Sequence, residues 1–120
     1  MVSYQRTDTS MTEHGRKIFA CLNGEQRSTS VASMLKKYGV DARVVPGGAK
    51  AIAMGVTAAT KFVQKNDTVY IICDDISMYE SKAARMALVK LKARNDNVRI
   101  ISSDESFEMI HDAQKRFKAR

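Results

Sequence analysis

The stretch "TVYIIC", Thr68 to Cys73, constrains the fold more than any other part of the chain. It is β-branched and apolar on both faces, without the polar alternation of a strand that has one wet side. A strand of this kind belongs inside a sheet covered above and below, and the cover has to come from helices. Helical periods do flank it. Val31, Met34, Leu35 and Tyr38 of "SVASMLKKYG" share one helical face, with Gly39 as a stop. Ile52, Val56, Ala59 and Val63 keep helical spacing until "KND". After "DDISMYES", Ala84, Leu88 and Leu91 mark a long helix, and from about Glu105 the tail offers Phe107, Ile110, Ala113 and Phe117 for packing.

Three further segments read as strands: "KIFAC" (Lys17 to Cys21), "DARVV" ended by "PGG" (Pro46 to Gly48), and "NVRIIS" (Asn97 to Ser102). The predicted pattern is four strands alternating with four helices, an α/β sandwich around a parallel sheet with right-handed crossovers. A chain of 120 residues has room for one core. Residues 1–15 are polar and aperiodic and read as a flexible leader, leaving residues 16–120 as a single α/β domain.

Composition removes several function classes. No apolar run reaches the length of about eighteen residues that a membrane span needs, so no membrane partner is expected. Two cysteines, Cys21 and Cys73, are too few for a disulfide framework, which favours reduced thiols and a cytoplasmic setting. His14 and His111 stand near no ligand cluster, so neither a metal nor another cofactor is expected. The net charge of +7 favours anionic partners. Much of the excess lies in "KLKAR" (Lys90 to Arg94) and "KRFKAR" (Lys115 to Arg120), which read as helix C-terminal turns where cations complement the dipole. Nucleic acid is thus a permitted partner but not the favoured one. No recognition-module signature occurs.

Chemistry gathers around Cys21. In a parallel sheet, ligands bind beyond the carboxyl ends of the strands. Cys21 ends the first strand, and a helix begins just after Arg27, so the loop between them aims backbone N–H groups at one point. Helix N-termini and nearby arginines both favour a thiolate. Arg27 brings a planar fork for two phosphate oxygens, Ser28 a hydroxyl for the sulfur, and Gly24 the backbone freedom for a tight curl. Leu22, Asn23, Gly24, Glu25, Gln26, Arg27 and Ser28 together form a candidate phosphate cradle. These parts suit phosphoryl transfer through a phosphocysteine, with a carboxylic acid on a neighbouring loop to protonate the leaving group.

"KIFACLNGEQRSTS" resembles the signature loop of the low-molecular-weight protein tyrosine phosphatases and their shorter relatives, a Cys-x5-Arg-Ser/Thr loop after the first strand. The resemblance extends over nearly the whole chain after Lys17 and implies a four-stranded parallel sheet of order 2-1-3-4 in a three-layer sandwich. It implies hydrolase activity on a phosphorylated protein or a small phosphomonoester, with Cys21 as nucleophile and a phosphate or sulfate ion at home in the loop. "VRIISSDESFEM" is similar to the fourth strand and acid loop, which makes Asp104 the general acid; Asp74 and Asp75, in the acidic turn after the third strand, are the fallback. Tyr79 and Phe107 take the place of the aromatic residues that wall the family's cleft. Thr29 stands where many members have proline, and Ser103 and Glu105 flank Asp104 without the usual aspartate-proline pair.

Other readings use the same residues. The loop also looks like the phosphocysteine loop of sugar-phosphotransferase IIB components, which carry a phosphoryl group instead of giving it to water. Arsenate reductases share the loop but need resolving thiols, for which Cys73 is the one candidate. A phosphate- or nucleic-acid-binding module without catalysis is the remaining alternative. For Cys73 the expectation is a core thiol, with a disulfide to Cys21 as the other option. Asp104 reads equally as the N-cap of the last helix.

Overall fold

The apolar run after Asp67 forms a central strand of a four-stranded, wholly parallel sheet. This computed structural model describes residues 15–21, 26–73, 82–95 and 97–119. In chain order the described elements are β1 (Lys17–Cys21), α1 (Gln26–Lys37), β2 (Ala42–Val44), α2 (Gly48–Ala53), α3 (Thr57–Phe62), β3 (Thr68–Ile72), α4 (Lys82–Lys92), β4 (Val98–Ile101) and α5 (Ser103–Lys118). The strand order is β2-β1-β3-β4, the expected layout.

Register explains how the sheet divides its side chains. Phe19 lies between Val44 and Tyr70, Cys21 beside Ile72, and Ile72 beside Ile101. Because successive side chains alternate, Ile18, Ala20, Val69, Ile71 and Cys73 fall on one face, packed with Ile52 of α2, Ala59 of α3 and Leu91 of α4. Phe19, Tyr70, Ile72 and Ile101 fall on the other, packed with Val31 and Leu35 of α1 and Ala113 of α5. The result is three layers, with helices on both faces of a sheet too apolar to be wet on either.

The helices depart from the expected pattern in three places. The single helix expected through Ile52, Val56, Ala59 and Val63 is two, so five helices occur among the described residues. Gly55 sits at φ +75°, a conformation that side chains rarely adopt, and breaks the run there. Ile52, Ala59 and Val63 are buried as expected, whereas Val56 beside the break is exposed. α1 starts at Gln26, ahead of "SVASMLKKYG", so Arg27 and Ser28 belong to its first turn; Met34 faces solvent more than the core. α5 starts at Ser103, ahead of Glu105. Its N-cap is Ser102, which accepts from the Glu105 N–H at 3.1 Å while Glu105 accepts from the Ser102 N–H, a capping box. Asp104 is therefore not the cap. Phe107 is 59% exposed, because Ser106, Ile110 and Ala113 define the inward stripe and Phe107 lies about 100° around from Ser106; Phe117 keeps to the stripe in the last turn, where it meets Tyr38 and stays 47% exposed.

The amino edge of the sheet is tied by one buried carboxylate. Asp67 accepts from Arg16 Nε at 2.9 Å and Nη2 at 3.0 Å, and from the Gln64 N–H at 2.7 Å. Buried Asn95 adds donations to the carbonyls of Gln64 and Asp67 and accepts from the Asn97 N–H. The network joins the entries of β1, β3 and β4. Removing the carboxylate strands a largely buried guanidinium, so Asp67→Ala should cost about 3 kcal/mol in denaturant unfolding. A loss below about 1 kcal/mol would mean that the network is incidental to the fold.

Candidate active site

Sulfur lies at the centre of the candidate site. Cys21 is the last residue of β1 and is 7% exposed. Ser28, the third residue of α1, is fully buried. Its backbone N–H donates to Cys21 Sγ at 3.0 Å, and its Oγ lies 2.8 Å from the same sulfur. The first N–H groups of a helix have no partner within the helix. One of those of α1 is satisfied by the cysteine, so the thiol takes the place that an aspartate or serine oxygen takes at an ordinary N-cap. Both contacts come from the first turn of α1, so the helix start and the strand end close on this one sulfur.

Around this pair the sequence-predicted residues separate. Arg27 is exposed in the first turn of α1, next to Ser28, and Gln26 opens the helix, with its carbonyl accepting from Ser30 Oγ at 3.2 Å. Leu22, Asn23, Gly24 and Glu25 of the cradle lie outside the described residues, as do Asp74, Asp75, Tyr79 and residues 1–14 of the leader. Asp104 is exposed in the first turn of α5, just beyond Ile101, and its carboxylate forms no hydrogen bond or ion pair among the described residues. Register puts Cys21, Ile72 and Ile101 in one row at the carboxyl edge. Asp104 thus stands on the same edge as the thiol, with β3 between their strands, a separation of about 10 Å by ordinary strand spacing. Phe107 is on that edge too, and its exposure overturns the expectation that it packs into the core with Ile110.

Cys73 lies on the opposite side of the sheet. It is fully buried among Ile71, Val69 and Ala87, and neither cysteine is in a disulfide. Cys21 is in register with Ile72, so Cys73 is offset by one residue and points to the other face. Cysteines whose Cβ vectors diverge are not bridged without moving backbone. The core-thiol expectation holds, and a disulfide between the two does not fit this arrangement.

A second concavity, of about 160 Å³, opens between β4 and α5. Tyr70, Arg99, Glu105, Glu108 and Asp112 line it, so three carboxylates face one guanidinium. That balance disfavours phosphate in this cleft. Among the described residues no three His, Cys, Asp or Glu side chains converge as metal ligands, and no helix is long and apolar enough to cross a membrane. The chain matches no protein-family profile, no curated protein and no solved structure.

Two measurements follow from this geometry. Ser28→Ala keeps the backbone donor and removes the hydroxyl, so alkylation of Cys21 by iodoacetamide at neutral pH should slow about tenfold with little loss of stability. An unchanged rate would remove the hydroxyl from any role at the sulfur. Burial raises the Tyr70 hydroxyl above its ordinary pKa of 10.0, with Arg99 opposing the rise. The neutral form is the one the fold favours, so its contribution to stability is full below pH 10 and is lost as pH climbs through the raised folded value. Tyr70→Phe should therefore show a shallower alkaline fall in the denaturant midpoint than the parent protein.

Proposed function

We propose that this chain is a cysteine-dependent phosphomonoester hydrolase of the protein tyrosine phosphatase type, working through a phosphocysteine. The observation that carries the reading is the pair of contacts from Ser28 to Cys21 Sγ, at 3.0 and 2.8 Å, at the carboxyl end of a parallel strand and the start of a helix. A core thiol needs neither donor. A nucleophilic thiolate uses both.

In the first half-reaction Cys21 Sγ attacks phosphorus and the bond to the leaving oxygen breaks, with Asp104 supplying its proton. In the second, water attacks the phosphocysteine, Asp104 takes a proton from it, and phosphate and the free thiolate are released. Arg27 and the amides of the Cys21–Arg27 loop hold the equatorial oxygens while charge develops on them. The reaction needs no metal, and it needs a reduced thiol such as a cytoplasmic setting maintains. Phosphotyrosine in protein is the favoured substrate, with small aryl phosphates as surrogates. The burial of Cys73 on the far face weighs against a reductase that must resolve its intermediate with a second thiol.

Hydrolysis of p-nitrophenyl phosphate provides the test. Cys21→Ser should lower kcat about 10⁴-fold, and Arg27→Ala about 10²-fold with weaker phosphate inhibition. Asp104→Asn should lower the rate on an alkyl phosphate about 10²-fold and on the activated aryl ester by much less, since the better leaving group needs less protonation. Activity that survives Cys21→Ser refutes the nucleophile. A phosphocysteine that forms and persists in water points to the phosphocarrier reading.

A further inference from the structure

Two helix ends far apart in the sequence meet at the amino edge of the sheet, away from Cys21. α1 and α5 each follow the carboxyl end of a strand and run back along the sheet, so Lys36 and Lys37 close one helix and Lys115, Arg116 and Lys118 close the other. Between these ends Tyr38 meets Phe117 edge to face, with ring centroids 5.8 Å apart and planes at 61°. Phe117 remains 47% exposed, and Lys37 Nζ stands 5.9 Å from the centre of the Tyr38 ring. Among the described residues, Asp67 and Asp41 at this edge are engaged elsewhere, Asp67 by Arg16 at 2.9 Å and Asp41 by Arg43 at 3.0 Å. Asp112, nearby on α5, lines the cleft beside Arg99. Lys36, Lys37, Lys115 and Lys118 form no ion pair among the described residues.

Each helix C-terminus presents about half a negative charge, which one cation already offsets. The four lysines alone exceed that need, in a chain whose net charge is +7. The surplus flanks an exposed ring: "KRFK" sets Phe117 among cations along the chain, and the fold adds Lys36, Lys37 and Tyr38 from the end of α1. We propose that this edge binds single-stranded nucleic acid, with backbone phosphates on the lysines and an unpaired base stacked on Phe117. Single strands offer both chemistries at once, negative charge at short intervals and a flat π-face. A duplex hides its bases from such a platform, and an anionic bilayer has no ring to stack.

The test is fluorescence anisotropy with a labelled oligo-deoxythymidine of about twelve nucleotides, titrated over a range of salt. Binding should weaken with salt along a log–log slope of about −3, for four phosphates contacted. The variant Lys36→Gln/Lys37→Gln/Lys115→Gln/Lys118→Gln should lose at least about tenfold in affinity and flatten the slope. Phe117→Leu keeps apolar contact with Tyr38 and should lose about fivefold with the slope unchanged. Arg27→Ala should bind like the parent, and thermal melts should confirm that all three variants are folded. No binding at low salt, or parental affinity in the four-lysine variant, refutes the proposal. Parental affinity in Phe117→Leu reduces the surface to a general polyanion site and refutes the stacking. Loss of binding in Arg27→Ala would move the contact to the Cys21 end. Tighter capture by phosphatidylserine vesicles than by the oligonucleotide would assign the surface to membranes.

Discussion

The Ser28 N–H that donates to Cys21 Sγ at 3.0 Å joins the first strand to the first helix, and both the local fold and the proposed chemistry depend on it. Without an acceptor at that point the opening turn of α1 would leave a fully buried N–H unsatisfied, at a cost of about 1–3 kcal/mol. Sulfur is an unusual choice for the task, being a weak acceptor unless it is charged. The same contact that ends one element and begins the next therefore fixes the thiol at the start of a helix. Stability and the proposed reactivity converge on one atom.

The sheet decides what the second cysteine can do. With an apolar strand such as β3 covered on both faces, neighbouring positions along a strand look into separate cores. Cys21 looks toward α1 and α5, and Cys73 toward α2, α3 and α4. Thiols that seem close in a linear account of strand ends are thus insulated from each other by the sheet itself. Asp104 meets no such barrier, because it lies beyond the carboxyl edge and projects from the first turn of α5 on the side of the sheet that Cys21 faces.

Much of this was legible from residue patterns. The β-branched run at Thr68–Cys73 called for a buried parallel strand, and the apolar periods around it called for helices on both faces; the structure has both. Cys21 and Ser28 were legible as a pair because a strand end followed by a helix start brings them together. What escaped the sequence depended on conformation or on distant contacts. Helical spacing ran through Gly55 without showing that its φ would be positive and would split the segment. Phe107 and Ile110 share a spacing, yet only the packing of α5 reveals that Phe107 lies outside the buried stripe. The capping role read for Asp104 fell instead to Ser102, whose partner Glu105 completes the box. Tyr38 and Phe117 become neighbours only once α1 and α5 lie side by side.

The central claim is that the sulfur capped by α1 is a nucleophile toward phosphorus. The most direct measurement is rapid acid quench of the full chain during turnover of p-nitrophenyl phosphate, followed by peptide mass spectrometry. The account predicts a transient phosphoryl adduct on the peptide containing Cys21, absent in Cys21→Ser and decaying as phosphate is released. Hydrolysis without any such adduct, or with the adduct on another residue, would contradict it.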